Sequence, residues 1–136
     1  MIKEMIKIAV CDDDVSLLKR IAVLLDQYCT EYNREMMYTF FCSPLELLAE
    51  IEKGMRWDVL FLDVIMPGGN GINVAKEIRQ YDHAVKIIFL TETYEYAVES
   101  YTVGAYFYQI KPVSQEKLYR LLDAVTFECE KVQQCS

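Results

Sequence analysis

The sequence predicts one doubly wound α/β domain, a five-stranded parallel sheet with helices on both faces. Three observations predict it. Five short apolar runs alternate with amphipathic segments along the 136 residues, the pattern of successive βα units. The central runs are continuous rather than alternating, as strands buried on both faces are. Four runs end beside a residue suited to chemistry: Asp12, Asp63, Thr91 and Lys111. Right-handed crossovers bring all C-terminal strand ends to one edge, where open α/β sheets bind ligands at the switch in strand order.

The elements follow in order. Lys7 to Cys11 is the first predicted strand. Leu17, Leu18, Ile21, Leu24, Leu25 and Tyr28 then recur at three- and four-residue spacing, one face of a helix, with Asp14 placed to cap it. Met37 to Phe41 is a short aromatic-rich strand. Ser43 and Pro44 read as N-cap and first helical residue of a helix over Leu45 to Glu52, which Gly54 ends. The third strand is Val59 to Asp63, and a helix carrying Ile72, Val74, Ala75 and Ile78 follows a glycine-rich turn. Val85 to Leu90 is the fourth strand, with a short helix predicted over Tyr94 to Tyr101. Ala105 to Ile110 is the fifth. Ser114 caps a last helix carrying Leu118, Leu121, Leu122, Val125 and Val132.

Composition narrows the function. An apolar fraction of 53% suits a packed domain. A net charge of -7 gives no basic surface for nucleic acid. Five cysteines at irregular spacing, with His83 the sole histidine, fit neither a disulfide framework nor a structural zinc site. They read as reduced thiols, with Cys11 and Cys42 expected to pack as small apolar side chains. No apolar run reaches the roughly 20 residues that span a bilayer, and no signal-peptide core is present. The chain reads as soluble and cytoplasmic.

The candidate chemistry sits at the strand ends. Asp12 and Asp13 follow the first strand directly, and clustered carboxylates repel one another unless a cation joins them. Hard oxygen donors suit Mg²⁺, and Asp63 can complete such a site. Asp63, isolated at the end of its strand, is the best candidate nucleophile, since a carboxylate can take up a phosphoryl group as an acyl phosphate. Lys111 supplies a compact positive charge and Thr91 a hydroxyl donor. Pro112 allows a cis peptide that turns Lys111 inward. Each residue alone also has a plain structural reading: helix-capping acids, a β-branched strand end, a surface lysine.

The segments Ile8-Ala9-Val10-Cys11-Asp12-Asp13-Asp14, Leu62-Asp63-Val64-Ile65-Met66-Pro67-Gly68-Gly69-Asn70-Gly71, Ile88-Phe89-Leu90-Thr91 and Tyr108-Gln109-Ile110-Lys111-Pro112 together resemble the receiver domain of two-component response regulators, over essentially the full length. Within that family the chain looks most like the receivers of LytTR-type transcription regulators. The resemblance implies a flavodoxin-like (βα)5 fold and a signalling domain with autophosphatase activity at most. It implies that Asp63 accepts phosphate from a sensor histidine kinase. Asp13 and Asp63 would bind Mg²⁺ with the backbone carbonyl of Ile65, Asp12 acting mainly through water. Thr91 would swing toward the phosphoryl group, Tyr108 would follow as the switch aromatic, and Lys111 would pair with the phosphate. Residues 1–136 would be the receiver domain, reaching DNA only through an output domain beyond Ser136, or would act as a stand-alone receiver. The tyrosine-rich region Tyr94 to Cys129 is the expected homodimer and output surface. Three positions depart from the family pattern: Glu92 where a small residue is usual, Phe107 in place of an acid, and Gln109 in place of an aliphatic residue.

Two rival readings use the same residues. A haloacid-dehalogenase-like, Mg²⁺-dependent phosphatase also uses an aspartate nucleophile, but would place it after the first strand and carry a cap. A flavodoxin-like flavin binder would want Ser, Thr and Gly where this chain has Asp12, Asp13 and Asp14.

Overall fold

The computed structural model of the chain describes residues 5–67 and 69–135, so Gly68 of the turn and Ser136 lie outside the described residues. Five strands, β1 (Ile6–Cys11), β2 (Met36–Phe41), β3 (Val59–Leu62), β4 (Lys86–Thr91) and β5 (Ala105–Ile110), form one sheet in the order β2-β1-β3-β4-β5. All neighbours run parallel. The helices are α1 (Val15–Glu31), α2 (Pro44–Glu52), α3 (Gly71–Tyr81), α4 (Ala97–Ser100) and α5 (Gln115–Cys135). Main-strand boundaries fall within one residue of those predicted.

Strand periodicity divides the core. Ile8, Val10, Phe61, Ile88 and Leu90 pack on one face with Ile21, Leu25 and Tyr28 of α1 and Leu118, Leu122 and Val125 of α5. The alternate residues Ala9, Cys11, Leu60, Leu62, Ile87 and Phe89 pack on the other with Leu47 and Ile51 of α2 and Ile72, Ala75 and Ile78 of α3. Covering both faces explains the continuous apolar runs of β1, β3 and β4. The edge strand β2 carries no charged residue, and its side chains alternate between half-buried and exposed until Phe41.

Local chemistry fixes the helix starts. The Asp14 carboxylate accepts from the Leu17 amide at 3.2 Å, Ser43 Oγ from Leu45 at 3.2 Å, Asn70 Oδ1 from Ile72 at 2.7 Å and Ser114 Oγ from Lys117 at 3.1 Å. Such caps contribute about 1 kcal/mol each. Between α1 and α5, the Tyr28 hydroxyl donates to Asp123 at 2.7 Å and Arg34 pairs with Glu130 at 2.5 Å.

Three expectations need correction. α4 begins at Ala97 rather than Tyr94 and spans four residues, because no side chain caps it; a short 3₁₀ turn, Tyr101–Val103, continues it. Ile65–Met66 and Gly69–Asn70 form a small antiparallel ladder where a plain turn was expected. Cys42 is exposed past the end of β2 rather than packed, whereas Cys11 is buried as expected. Tyr119 of α5 packs edge-on against Tyr28 of α1, with ring centroids 5.0 Å apart at 78°.

The core faces predict a sharp contrast in stability. Phe61 is fully buried in the centre of the sheet, so Phe61→Ala lowers the unfolding free energy by about 3–5 kcal/mol. Val98→Ala, on the exposed side of α4, changes it by less than about 0.5 kcal/mol. Urea unfolding of both variants checks this, and similar losses for the two would contradict the assigned core.

Candidate functional site

Strand register brings the site together. Cys11 of β1 and Leu62 of β3 are direct partners, so Asp12 and Asp63 leave the sheet side by side, where the strand order turns outward from β1. The Asp63 amide donates to Cys11 O at 3.1 Å and the Asp12 amide to Phe41 O at 3.0 Å, which fixes both backbones. Across the sheet Thr91 pairs with Ile110, and the Lys111 amide donates to Thr91 O at 2.8 Å. The Lys111–Pro112 peptide is cis, as the sequence suggests.

One ammonium joins the two buried acids. Lys111 Nζ donates to Asp12 Oδ2 at 2.7 Å and to Asp63 Oδ2 at 3.1 Å. Asp12 is 2% and Asp63 5% exposed. Their remaining oxygens accept backbone amides: Asp12 Oδ1 from Asp14 at 2.9 Å and Asp63 Oδ1 from Ile65 at 3.2 Å. Asp13 is exposed, yet it offers a carboxylate oxygen within a group, with Asp12 and Asp63, whose ligand atoms all lie within 4.8 Å of one another.

The electrostatics favour a further cation. Two unit charges about 4 Å apart repel by about 4 kcal/mol at an effective dielectric near 20, and Lys111 is one ammonium among three carboxylates. Burial pushes the Asp63 carboxyl above the usual carboxylate range; the Lys111 charge works against this without cancelling it, and Asp12 adds to the rise. Burial alone would lower the Lys111 ammonium, but its bond to Asp12 and the charge of Asp63 hold it above its ordinary value. Burial, with the neighbouring Asp12 charge, raises the Cys11 thiol to about 12, so it stays protonated. An all-oxygen donor set with surplus negative charge fits a hard divalent cation such as Mg²⁺.

Two further predicted residues lie on the β4–β5 side. Thr91 is fully buried, and its Oγ1 has no hydrogen-bond partner among the described residues. A donor left unpaired in this way costs about 1–3 kcal/mol and commonly marks a functional group. Tyr108 is half-buried; its hydroxyl donates to Thr93 O at 2.5 Å and its ring stands 6.0 Å from that of Phe89. Ile65 presents its amide to Asp63, while its side chain is exposed. Glu92 is exposed and, with Arg20, Lys111 and Pro112, lines an open depression of about 430 Å³ beside the acids.

Gly71 is a site residue that the sequence reading did not single out. A Cβ there would lie 2.1 Å from the Asp63 carbonyl oxygen and 2.8 Å from Val64 Cα. The Gly71 amide donates to Val64 O at 2.7 Å, so the start of α3 rests against the backbone that carries Asp63. Its place at the end of the glycine-rich turn was the available signal.

Known proteins resemble this chain. Residues 8–123 match the family profile "Response regulator receiver domain". Sensory transduction protein LytT of Bacillus subtilis is 27% identical over 118 residues, 87% of this chain and 47% of that protein. Transcriptional regulatory protein BtsR of Salmonella typhi is 30% identical over 128 residues, 93% of this chain and 51% of that protein. The chain thus spans about half the length of these relatives. The response regulatory domain of protein mrkE from Klebsiella pneumoniae has the same fold, with a TM-score of 0.82 at 24% identity, covering 93% of this chain and 99% of that one.

The raised Asp63 acid gives a prediction with a definite sign. A carboxyl whose folded-state pKa lies above its unfolded value loses stability as pH rises through that interval. Asp63→Asn, which removes the buried charge, therefore raises the thermal midpoint at pH 7 without divalent cation. Millimolar Mg²⁺ then stabilises the parent more than the variant. Differential scanning fluorimetry reads both, and a variant less stable than the parent in chelator would show that the pull of Lys111 outweighs burial.

Proposed function

The chain belongs to the response regulator receiver domain family, and from this we propose that Asp63 is the phosphoacceptor of a two-component switch. As a receiver domain it is a signalling domain of the kind that sensor histidine kinases phosphorylate. The observation that carries the proposal is the single Lys111 ammonium shared by Asp12 and Asp63, beside the buried, unpartnered hydroxyl of Thr91.

The chemistry is direct displacement. A carboxylate oxygen of Asp63 attacks the phosphorus of a kinase phosphohistidine; the O–P bond forms as the N–P bond breaks, and the imidazole nitrogen leaves with the electron pair and takes up a proton. Lys111 is held on the Asp63 carboxylate and follows the charge onto the phosphoryl oxygens. Thr91 is the donor whose hydroxyl gains an acceptor only when that group arrives. Asp12, Asp13 and Asp63, with the Ile65 carbonyl, would hold Mg²⁺, which when bound neutralises charge on the phosphoryl oxygens.

Turning Thr91 toward the phosphoryl group moves the backbone that Tyr108 holds through Thr93, which favours one of two arrangements of the β4–α4 loop. The output face is formed by α4, β5 and α5, where Tyr94, Val98, Tyr101, Phe107 and Phe127 are exposed. Exposed aromatic and aliphatic groups on adjoining elements fit a protein contact, read here as homodimerisation through the region Tyr94 to Cys129. The relatives named as transcriptional regulators support control of transcription through a LytTR-type DNA-binding domain outside these 136 residues. Among the described residues no helix is long and apolar enough to cross a membrane, consistent with action in the cytoplasm.

Incubation with Mg²⁺ and acetyl phosphate, read by intact mass, adds one phosphoryl group to the parent and none to Asp63→Asn or to the parent in chelator. An unmodified parent with intact fold would remove Asp63 as acceptor. In sedimentation velocity, phosphorylation shifts the parent toward dimer, and Val98→Glu weakens that shift at least about tenfold by burying an unpaired charge. A phosphorylated parent that stays monomeric at high concentration overturns the dimer assignment.

A further inference from the structure

The segment between β4 and β5 is fastened unequally at its two ends. At the first end, Thr93 is held by the Tyr108 hydroxyl, Tyr94 is exposed, and α4 starts without a side-chain cap. Within the segment, Ser100 Oγ donates to Ala97 O and Thr102 Oγ1 to Glu99 O, both at 2.6 Å, so these bonds are local.

At the second end the fastening comes from another element. Arg79 of α3 is half-buried, and its Nε–H donates to Val103 O at 2.8 Å. One terminal nitrogen donates to Gly104 O at 3.1 Å and the other to Asp82 O at 3.3 Å. The planar fork thus engages three backbone carbonyls on two sides of a seam. Asp82 Oδ1 accepts from the amides of Ala84 and Val85, and the guanidinium's hydrogen bonds go to backbone carbonyls. Val103 is buried in the α2–α3 face of the core. Gly104, at φ 65°, takes the left-handed turn that ends the 3₁₀ segment. A guanidinium beside the last carbonyls of a helical segment is also favoured by the segment dipole.

We propose that Arg79 is a positioning residue, the fixed pivot on which the segment from Thr93 to Gly104 turns when the site changes state. The end near Thr91 moves and the end held by Arg79 stays. Arg79 touches no reacting atom and acts by making the change directional: displacement at Thr93 becomes rotation of α4, whose Val98 is 81% exposed. Without the clasp, the same displacement dissipates as loosening of the whole segment. This inference rests on the receiver reading above.

The test is amide hydrogen exchange on the full chain, with and without acetyl phosphate and Mg²⁺, with intact mass recorded in parallel. In the parent, loading changes exchange over residues 93–98 and leaves 101–105 as before. Arg79→Gln speeds exchange at 101–105 roughly tenfold even without phosphate, as loss of anchoring bonds predicts, and on loading the change spreads through both stretches. Arg79→Lys keeps the charge but not the fork and recovers only part of the protection. Equal change at both ends of the loaded parent overturns the pivot, as does a folded Arg79→Gln chain that exchanges like the parent. A mass that never gains a phosphoryl group instead defeats the receiver reading, and the pivot falls with it.

Discussion

Two buried carboxylates share one ammonium at the strand-order switch, and much of the molecule can be understood as what holds those three groups in place. β1 and β3 must be paired in register for Asp12 and Asp63 to emerge together. The Lys111 amide is tied to β4, so its side chain reaches the acids from a defined origin. α3 must begin on a residue without a side chain, because its first turn presses on the backbone of Asp63. A one-residue slip of β3 would turn its side chains to opposite faces and carry Asp63 out of the cluster.

The arrangement is poised rather than relaxed. Asp63 bears a charge that its surroundings disfavour, and Thr91 keeps a buried hydroxyl without a partner. The surplus negative charge calls for a cation, and a phosphoryl oxygen at Asp63 would give the threonine hydroxyl an acceptor. A site of this kind has interactions left for a ligand to complete, and it suits a switch better than a permanently satisfied network would. The family assignment and the electrostatics therefore point the same way from independent observations.

Much of this was legible in the sequence because it depends on local rules. Continuous apolar runs marked β1, β3 and β4, caps such as Ser43-Pro44 marked helix starts, and chemistry at strand ends marked the site. The short α4 was less legible. Val98 and Tyr101 stand at helical spacing, and spacing shows that a stripe exists without saying whether core or solvent lies beneath it. Arg79 was not legible as a clasp at all: two of its three acceptors are backbone carbonyls about 25 residues away, and a carbonyl carries no sequence signature.

The uncharged edge of β2 has a consequence for how the molecule behaves in bulk. Its residues Met36–Phe41 include no lysine, acid or proline to deter a second strand. What keeps copies apart at neutral pH is the net charge of -7 spread over the rest of the surface. Acidification removes that repulsion as the carboxylates protonate, while the edge itself is unaltered. Colloidal stability is thus delegated to distant side chains, and mildly alkaline, low-salt solutions are the conditions in which this chain stays dispersed.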